Sequence, residues 1–365
     1  MDEQKLYTIG FSVFPGIGPL RYRSLMKVFK SAAVAWQQPE NVLKEVLGKS
    51  LAEKFIRFRN TFSLSDYLQK LRQEKVSVVT IDESKYPQLL REISDPPIAL
   101  YIKGRKSDPP LDLARTLAVV GTRRMTPYGR EITRELVAGL VRSGLTIVSG
   151  MAYGIDAQAH LAAIENGGKT IAVLGCGVDI AAPRVNTFIY NKIIDAGHGI
   201  VISEMPLSHL PDKGLFPARN RIISGLSLGV VVVEGNVTSG ALITAKYAAE
   251  QGRDVFCIPG PVTSQASRGP LWLMQHGAKP VDRVEDIISE LGISQKQPQK
   301  SENLTDLDED QKCIYSLVAG GPLHIDEIIR TSGRPAGQVL NVLTQLELNS
   351  LIRDIGGKVF VALEN

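Results

Sequence analysis

The sequence has little cysteine: Cys176, Cys257 and Cys313 are all that 365 residues contain. They are far apart, odd in number and include no C-x-x-C pair, so they support neither a disulfide framework nor a zinc site. Two of them sit in or beside apolar strands, where cysteine packs as a small hydrophobe. A reducing cytoplasm is the expected compartment. No apolar run approaches the ~18 residues that a membrane span needs. The start, Met1-Asp2-Glu3-Gln4, is polar and acidic and lacks the basic stretch and apolar run of a secretory signal. Charge of one sign is also scarce. The 42 Lys and Arg against 38 Asp and Glu leave a net +4, which permits nucleic-acid binding only if basic residues gather on one surface. No Ser-His-Asp or Cys-His grouping and no cluster of metal ligands stands out, so no catalytic residue and no metal is expected.

What is there divides along the chain. The composition is that of an ordinary globular protein, 44% hydrophobic and 22% charged, and the length suffices for two or three domains. Residues 1–72 read as a small helical domain. A turn at Pro15-Gly16-Ile17-Gly18-Pro19 is followed by Leu20, Leu25, Val28 and Phe29 at helical spacing, and Leu64, Leu68 and Leu71 continue the pattern. The turn resembles a helix-hairpin-helix loop, in which N–H groups at a helix start hold a DNA phosphate. A plain turn inside a small bundle is the simpler reading and is preferred.

Residues 73–294 read as α/β. Segments 76–81 and 98–102 are strands. Further apolar strands at 117–120, 146–148, 170–174, 199–202, 230–233 and 255–258 alternate with stretches mostly long enough for a crossover helix. The pattern predicts a parallel sheet covered on both faces, an extended Rossmann-like domain. A polar, charged linker is expected over 295–310. Residues 311–365 predict a winged-helix domain, with three helices, the last over 335–346, and a hairpin over 351–361 turning at Gly356-Gly357.

In an open parallel sheet, ligands bind beyond the carboxyl ends of the strands. Three of those ends run into loops rich in glycine and small polar residues. Gly121-Thr122-Arg123-Arg124 follows the strand at 117–120. Ser149-Gly150-Met151-Ala152 follows 146–148, and Glu234-Gly235-Asn236-Val237-Thr238-Ser239-Gly240-Ala241 follows 230–233. Each loop precedes a helix whose N–H groups and dipole attract anions. Three such loops on one rim suit a polyanion better than one small ion. Nucleotide cofactors fit poorly. Gly175-Cys176-Gly177 lacks the third glycine of G-x-G-x-x-G, and G-x-x-x-x-G-K-[ST] does not occur, so no cofactor is expected.

The stretch Phe216-Pro217-Ala218-Arg219-Asn220-Arg221, just before an apparent helix, leaves two readings open. A ring for stacking a base beside arginines for phosphates is what single-strand binding needs. Equally, Phe216 fits a core and the arginines fit surface ion pairs. Pro217 favours the first reading by holding the segment out of regular structure. Asp156 with His160 one turn on has the makings of an acid–base pair, but a helix cap beside an ordinary surface or core histidine is the preferred reading. Glu234, ending an apolar strand, reads as either catalytic or structural.

Taken in order, these motifs resemble the DprA family of DNA-processing proteins, also called Smf. The resemblance lies in Gly121-Thr122-Arg123 with Tyr128-Gly129, and in Ser149-Gly150-Met151-Ala152-Tyr153-Gly154-Ile155-Asp156-Ala157 with His160. It continues through Ala172-Val173-Leu174-Gly175-Cys176-Gly177, Phe216 to Ile223, and Thr238-Ser239-Gly240-Ala241-Leu242-Ile243-Thr244. Upstream, Tyr86-Pro87, Asp95-Pro96-Pro97 and Leu100 to Gly104 also fit. The set covers about residues 80–290. Departures are Ala182-Pro183 before Asn186, and Pro270-Leu271 after Ser267-Arg268-Gly269. The resemblance implies a Rossmann-like domain that binds single-stranded DNA as a homodimer and protects incoming DNA in natural transformation. It also implies help in loading RecA onto strands coated by single-strand-binding protein. Carried over by motif, Gly121, Thr122, Arg123, Ser239 and Gly240 contact phosphates, Arg219 and Asn220 line the same groove, and Phe216 stacks a base.

Two other function classes compete. The phosphoribohydrolases, a related Rossmann-like family of nucleotide-processing enzymes, carry P-G-G-x-G-T-x-x-E, whereas the corresponding 234–241 stretch lacks the downstream Glu. A transcription factor would act through the winged helix, whose last helix offers Gln338, Asn341 and Gln345 but no Lys or Arg for phosphates.

Overall fold

The computed structural model describes residues 2–104, 115–212, 214–293, 307–349 and 351–362. They fold as two compact units, Met1–Ser294 and Gln295–Asn365. Of the linker expected over 295–310, residues 295–306 lie outside the described residues, whereas Leu307 packs in the core of the second unit and Asp308 caps its first helix, which Glu309 opens.

The first unit opens with six helices: α1 (Glu3–Val13), α2 (Pro19–Phe29), α3 (Ala32–Gln37), α4 (Glu40–Leu47), α5 (Lys49–Thr61) and α6 (Leu64–Gln73). Asp2 accepts from the Gln4 N–H and starts α1; Ser63 accepts from the Asp66 N–H and starts α6. Aromatic packing holds the bundle. Phe11 stacks on Phe55 with ring centres 5.2 Å apart, and Trp36 stands edge-on to both. These helices also share a core with the α/β part. Ile9, Tyr67 and Leu71 pack with Val76, Val78 and Tyr101 in one cluster. The fully buried Tyr101 hydroxyl lies 2.7 Å from Ser12 Oγ on α1.

The sheet that follows contains β1 (Val76–Thr80), β2 (Ala99–Gly104), β3 (Thr116–Val120), β4 (Thr146–Ser149), β5 (Thr170–Val173), β6 (Gly199–Ser203), β7 (Gly229–Val232), β8 (Asp254–Cys257) and β9 (Lys279–Pro280). Its helices are α7 (Gln88–Arg91), α8 (Pro127–Arg142), α9 (Ile155–Glu165), α10 (Thr187–Asp195), α11 (Leu215–Gly225), α12 (Gly240–Glu250), α13 (Arg268–Gln275) and α14 (Val284–Glu290). The spatial order is β1-β2-β6-β5-β4-β3-β7-β8-β9. From β6 to β9 every pairing is parallel. The parallel sheet expected from the strands between 117 and 258 forms as such, and the two earlier strands add an antiparallel edge, β1 antiparallel to β2 and β2 to β6. The segment between β1 and β2 holds only the four-residue α7, whereas a parallel crossover needs a longer covering helix. Strands β3 and β7 are buried along their whole length, which is why they read as unbroken runs of apolar residues.

Strand β3 sits where the connections change direction. From β3 the chain crosses through α8 to β4 on one side; from β7, on the other side, it crosses through α12 to β8. The loops after β3 and β7 therefore part and leave a crevice at the carboxyl edge.

The second unit contains α15 (Glu309–Ala319), β10 (Leu323–His324), α16 (Ile325–Ser332), α17 (Ala336–Leu348), β11 (Ile352–Asp354) and β12 (Val359–Ala362), with the strands ordered β10-β12-β11. This is a winged helix, and its hairpin turns through the left-handed Gly356 and Gly357. The helix expected over 335–346 starts one residue later, with Pro335 as its N-cap.

Because Tyr101 fills the junction between helices and sheet, Tyr101→Ala is expected to cost about 3–5 kcal/mol. Urea unfolding followed by far-UV circular dichroism checks this.

Candidate nucleic-acid interface

The carboxyl edge of the sheet encloses a cavity of about 570 Å³, walled by the loops after β3 and β7, the start of α9, and helices α11 and α12. Of the eight residues expected to bind, seven line it: Gly121, Thr122, Arg123, Arg219, Asn220, Ser239 and Gly240. The eighth, Phe216, lies in the first turn of α11, and its side chain is outside the described residues. Pro217 does not hold the segment out of regular structure. It occupies the first turn of α11, where its missing N–H would have no helical partner in any case.

The cavity rests on buried charge. Arg219 is 5% exposed, and its Nη1 donates to the carbonyls of Gly150, beyond β4, and Val173, in β5. Asp156 is 6% exposed and accepts from the Gly150 N–H at 3.2 Å and the Ala152 N–H at 3.4 Å. The residue was expected to cap a helix. Gly154 is the N-cap of α9 instead, and Asp156, inside the helix, ties down the loop before it. Gly150 thus gives its N–H to the carboxylate and its carbonyl to the guanidinium. A Cβ there would collide with Arg219 Nη1. Burial lowers the pKa of Arg219 and raises that of Asp156, and each charge opposes the other's shift. Asn186, after the cis Ala182-Pro183 bond, donates to the carbonyls of Met151 and Ala152 and completes the support of this loop.

Glu234 is structural. It is 3% exposed, and its carboxylate accepts from Thr126 N–H at 2.9 Å and Thr126 Oγ1 at 2.5 Å. Thr126 in turn caps α8. The Glu234 carbonyl accepts from Thr122 N–H at 2.7 Å, and the Thr122 carbonyl from Ile155 N–H at 3.1 Å. One acid at the end of β7 therefore binds the loop after β3, which binds the start of α9. Arg221 serves α11 in the same way. It forks onto both Glu204 oxygens and pairs with Asp95 at 2.9 Å.

The ligand-facing parts are what remains. Gly240, the first residue of α12, has open space where a Cβ would stand, so a ligand can approach its backbone closely. Asn220 accepts from Arg219 Nε and donates to the Gly240 carbonyl, joining α11 to the start of α12. Arg123 and Arg124 are exposed at the mouth. Residues not in the expected set also line the cavity: the polar Arg124, Asn236 and Thr238, and the apolar Pro217, Ile223 and Ile243. The first three lie in loops already singled out by composition. Ile243 had a usable signal, since it is one helical turn beyond Gly240.

His160 is fully buried. Thr170 Oγ1 donates to the Ile147 carbonyl, so the 2.6 Å contact to His160 Nδ1 is an Nδ1–H donation. Burial, aided by the Arg219 charge, pushes the imidazole pKa down to about 3. A group depressed in the fold gives stability that is complete above its unfolded pKa and is lost as pH falls. Lowering pH from 7 to 5 is expected to cost about 2 kcal/mol through this residue. The drop should shrink in His160→Gln, as read by urea midpoints at each pH.

The comparisons with known proteins identify the family and the fold. Residues 77–292 match the model of DNA recombination-mediator protein A, and residues 298–358 that of the DprA winged helix domain. The chain is 35% identical to the protein Smf of Synechocystis over 96% of this chain and 97% of that protein. It is 40% identical to the DNA processing protein DprA of Streptococcus pneumoniae over 69% and 89%. The X-ray structure of the S. pneumoniae protein superimposes with a TM-score of 0.67 at 34% identity, covering 80% of this chain and 98% of that one. The DNA processing protein A of Helicobacter pylori, described for its single-stranded DNA binding mode, gives 0.53 at 31% identity over 60% and 95%. The chain belongs to the DprA family of DNA recombination-mediator proteins.

Proposed function

We propose that the cavity at the carboxyl edge holds a segment of single-stranded DNA. The observation that carries this reading is the mixed polar and apolar lining. Thr122, Arg123, Arg124, Asn236, Thr238 and Ser239 share one cavity with Pro217, Ile223 and Ile243. A nucleotide has the same mixed character, an anionic phosphate together with an apolar base face. Backbone N–H groups and hydroxyls at loop and helix starts bind phosphate without reading sequence. Apolar contact with a base face tolerates every base. Phe216, at the start of α11, is the stacking residue in this reading. Blunt duplex, whose bases are paired and stacked inside, cannot offer a base to the apolar wall.

The protein then works by holding and delivering the strand. In keeping with the family resemblance, RecA receives it, single-strand-binding protein is the prior occupant, a homodimer is the working form, and the cytoplasm is the setting. The nucleotide-processing alternative needs an acid or base free to move a proton at the cavity. Glu234 is committed to Thr126, Asp156 to two N–H groups, and His160 has no exposed atom. The transcription-factor alternative is also disfavoured. Gln338 donates to Asp310, and Gln345 accepts from Gln311 at 2.9 Å, so two of its three reading groups are engaged within the second unit.

Titration with single strands and blunt duplex of equal length should show tighter binding to the single strand. Its log–log salt slope should be roughly −0.7 per phosphate contacted. Equal or tighter duplex binding would refute the assignment. Incubation with nucleoside monophosphates should release no free base.

Arg123→Glu should weaken single-strand binding and lower the salt slope. Gly240→Val should weaken it by filling the approach to the α12 start. Phe216→Ala should cost about 1–3 kcal/mol of binding. Fluorescence anisotropy on folded variants checks all three; unchanged affinity in Phe216→Ala would remove the stacking role.

A further inference from the structure

Charge is distributed unevenly along this nearly neutral chain. Residues 1–72 hold 12 of its 42 Lys and Arg but only 6 of its 38 Asp and Glu, so the remainder is slightly acidic. Within the helical segment, α2 carries Arg21, Arg23 and Lys27, is followed by Lys30, and contains no acid. Tyr22 and Leu25 fix its buried side. Arg23, Lys27 and Lys30, at i, i+4 and i+7, fall together on an exposed side. Among the described residues none of the three is in an ion pair, whereas the exposed cations Arg134, Lys246 and Arg283 each have a carboxylate partner. Lys27 and Lys30 at the end of α2 complement the helix dipole, while the like charges at this spacing oppose one another.

The stripe is also connected to the cavity wall. Arg23 Nη2 donates to the Ser94 carbonyl at 2.8 Å. The next residue, Asp95, pairs with Arg221 on α11, and Arg219 and Asn220 of the same helix line the cavity. One short turn thus links the cationic face of α2 to the helix that walls the proposed binding site.

We infer that the Arg23, Lys27 and Lys30 face of α2 is a second phosphate-contacting surface, used by the single strand that leaves the cavity. The inference rests on the single-strand reading above and extends it from one cavity to a longer path. Along α2 the stripe spans roughly 10 Å, room for more than one phosphate of an extended strand. Its partner is the sugar–phosphate backbone, contacted as charge and not as sequence. The contacts add affinity only for strands long enough to reach both places.

The test compares full-length wild type with Lys27→Glu/Lys30→Glu, which leaves the anchored Arg23 and every cavity residue untouched. Each is titrated with oligothymidylates of about 6 and about 40 nucleotides and with blunt duplex. Circular dichroism confirms the fold. The expected result is unchanged affinity for the short strand and roughly tenfold weaker binding of the long one, with its salt slope smaller by about 0.7 for each phosphate no longer neutralised. Lys27→Gln/Lys30→Gln should fall between. Unchanged long-strand affinity and slope in the charge-reversed variant would overturn the inference while leaving the cavity reading intact. A weakening confined to duplex would assign the face to duplex and equally overturn it. Failure of wild type to bind the short strand would instead refute the cavity reading.

Discussion

Arg219 is the cation on which the carboxyl edge of the sheet is built. Its guanidinium is enclosed, its Nη1 is bonded to two backbone carbonyls from neighbouring strand ends, and its charge is balanced by the enclosed Asp156. Removing either partner would leave an uncompensated charge in the interior, a loss far greater than that of an exposed ion pair. That asymmetry locks α11, the end of β5 and the loop before α9 into one arrangement. Gly150 meets the arrangement from both sides, through its N–H and its carbonyl, and has no room for a side chain.

A second lock works beside it. Glu234 closes the loop after β3 through Thr126, and that loop closes on α9 through Thr122 and Ile155. Between them the two locks use up the buried ionisable groups of the rim. What is offered outward is backbone at helix starts, small hydroxyls and exposed arginine. Such groups attract and position an anion and do not trade protons with it. The division of labour explains why residues that resemble an acid–base set in sequence, Asp156, His160 and Glu234, act on the protein's own backbone and side chains.

The second unit follows the same logic on a smaller scale. Its third helix has the length and placement of a recognition helix, yet its glutamines reach to the first helix of the unit. The cationic stripe lies instead on α2, at the other end of the chain, where the helical segment is fused to the sheet by a shared core.

Much of this was legible in the sequence. Unbroken Val, Ile and Leu runs alternating with helical stretches determine a doubly covered parallel sheet, because only a strand buried on both faces tolerates such a run. Glycine and small polar residues at three strand ends determine where an anion can approach, because backbone is bare only there. Five of the eight expected contact residues, Gly121, Thr122, Arg123, Ser239 and Gly240, meet in one cavity for that reason, and Arg219 and Asn220 join them from α11. The tertiary structure decided the rest. Whether Arg219 reaches outward or inward depends on carbonyls of Gly150 and Val173, which lie 69 and 46 residues away. Whether Glu234 is free depends on Thr126 across the rim, and whether His160 titrates depends on complete enclosure. Periodicity and spacing report local geometry, whereas the protonation and availability of a charged side chain are set by whatever the fold packs against it.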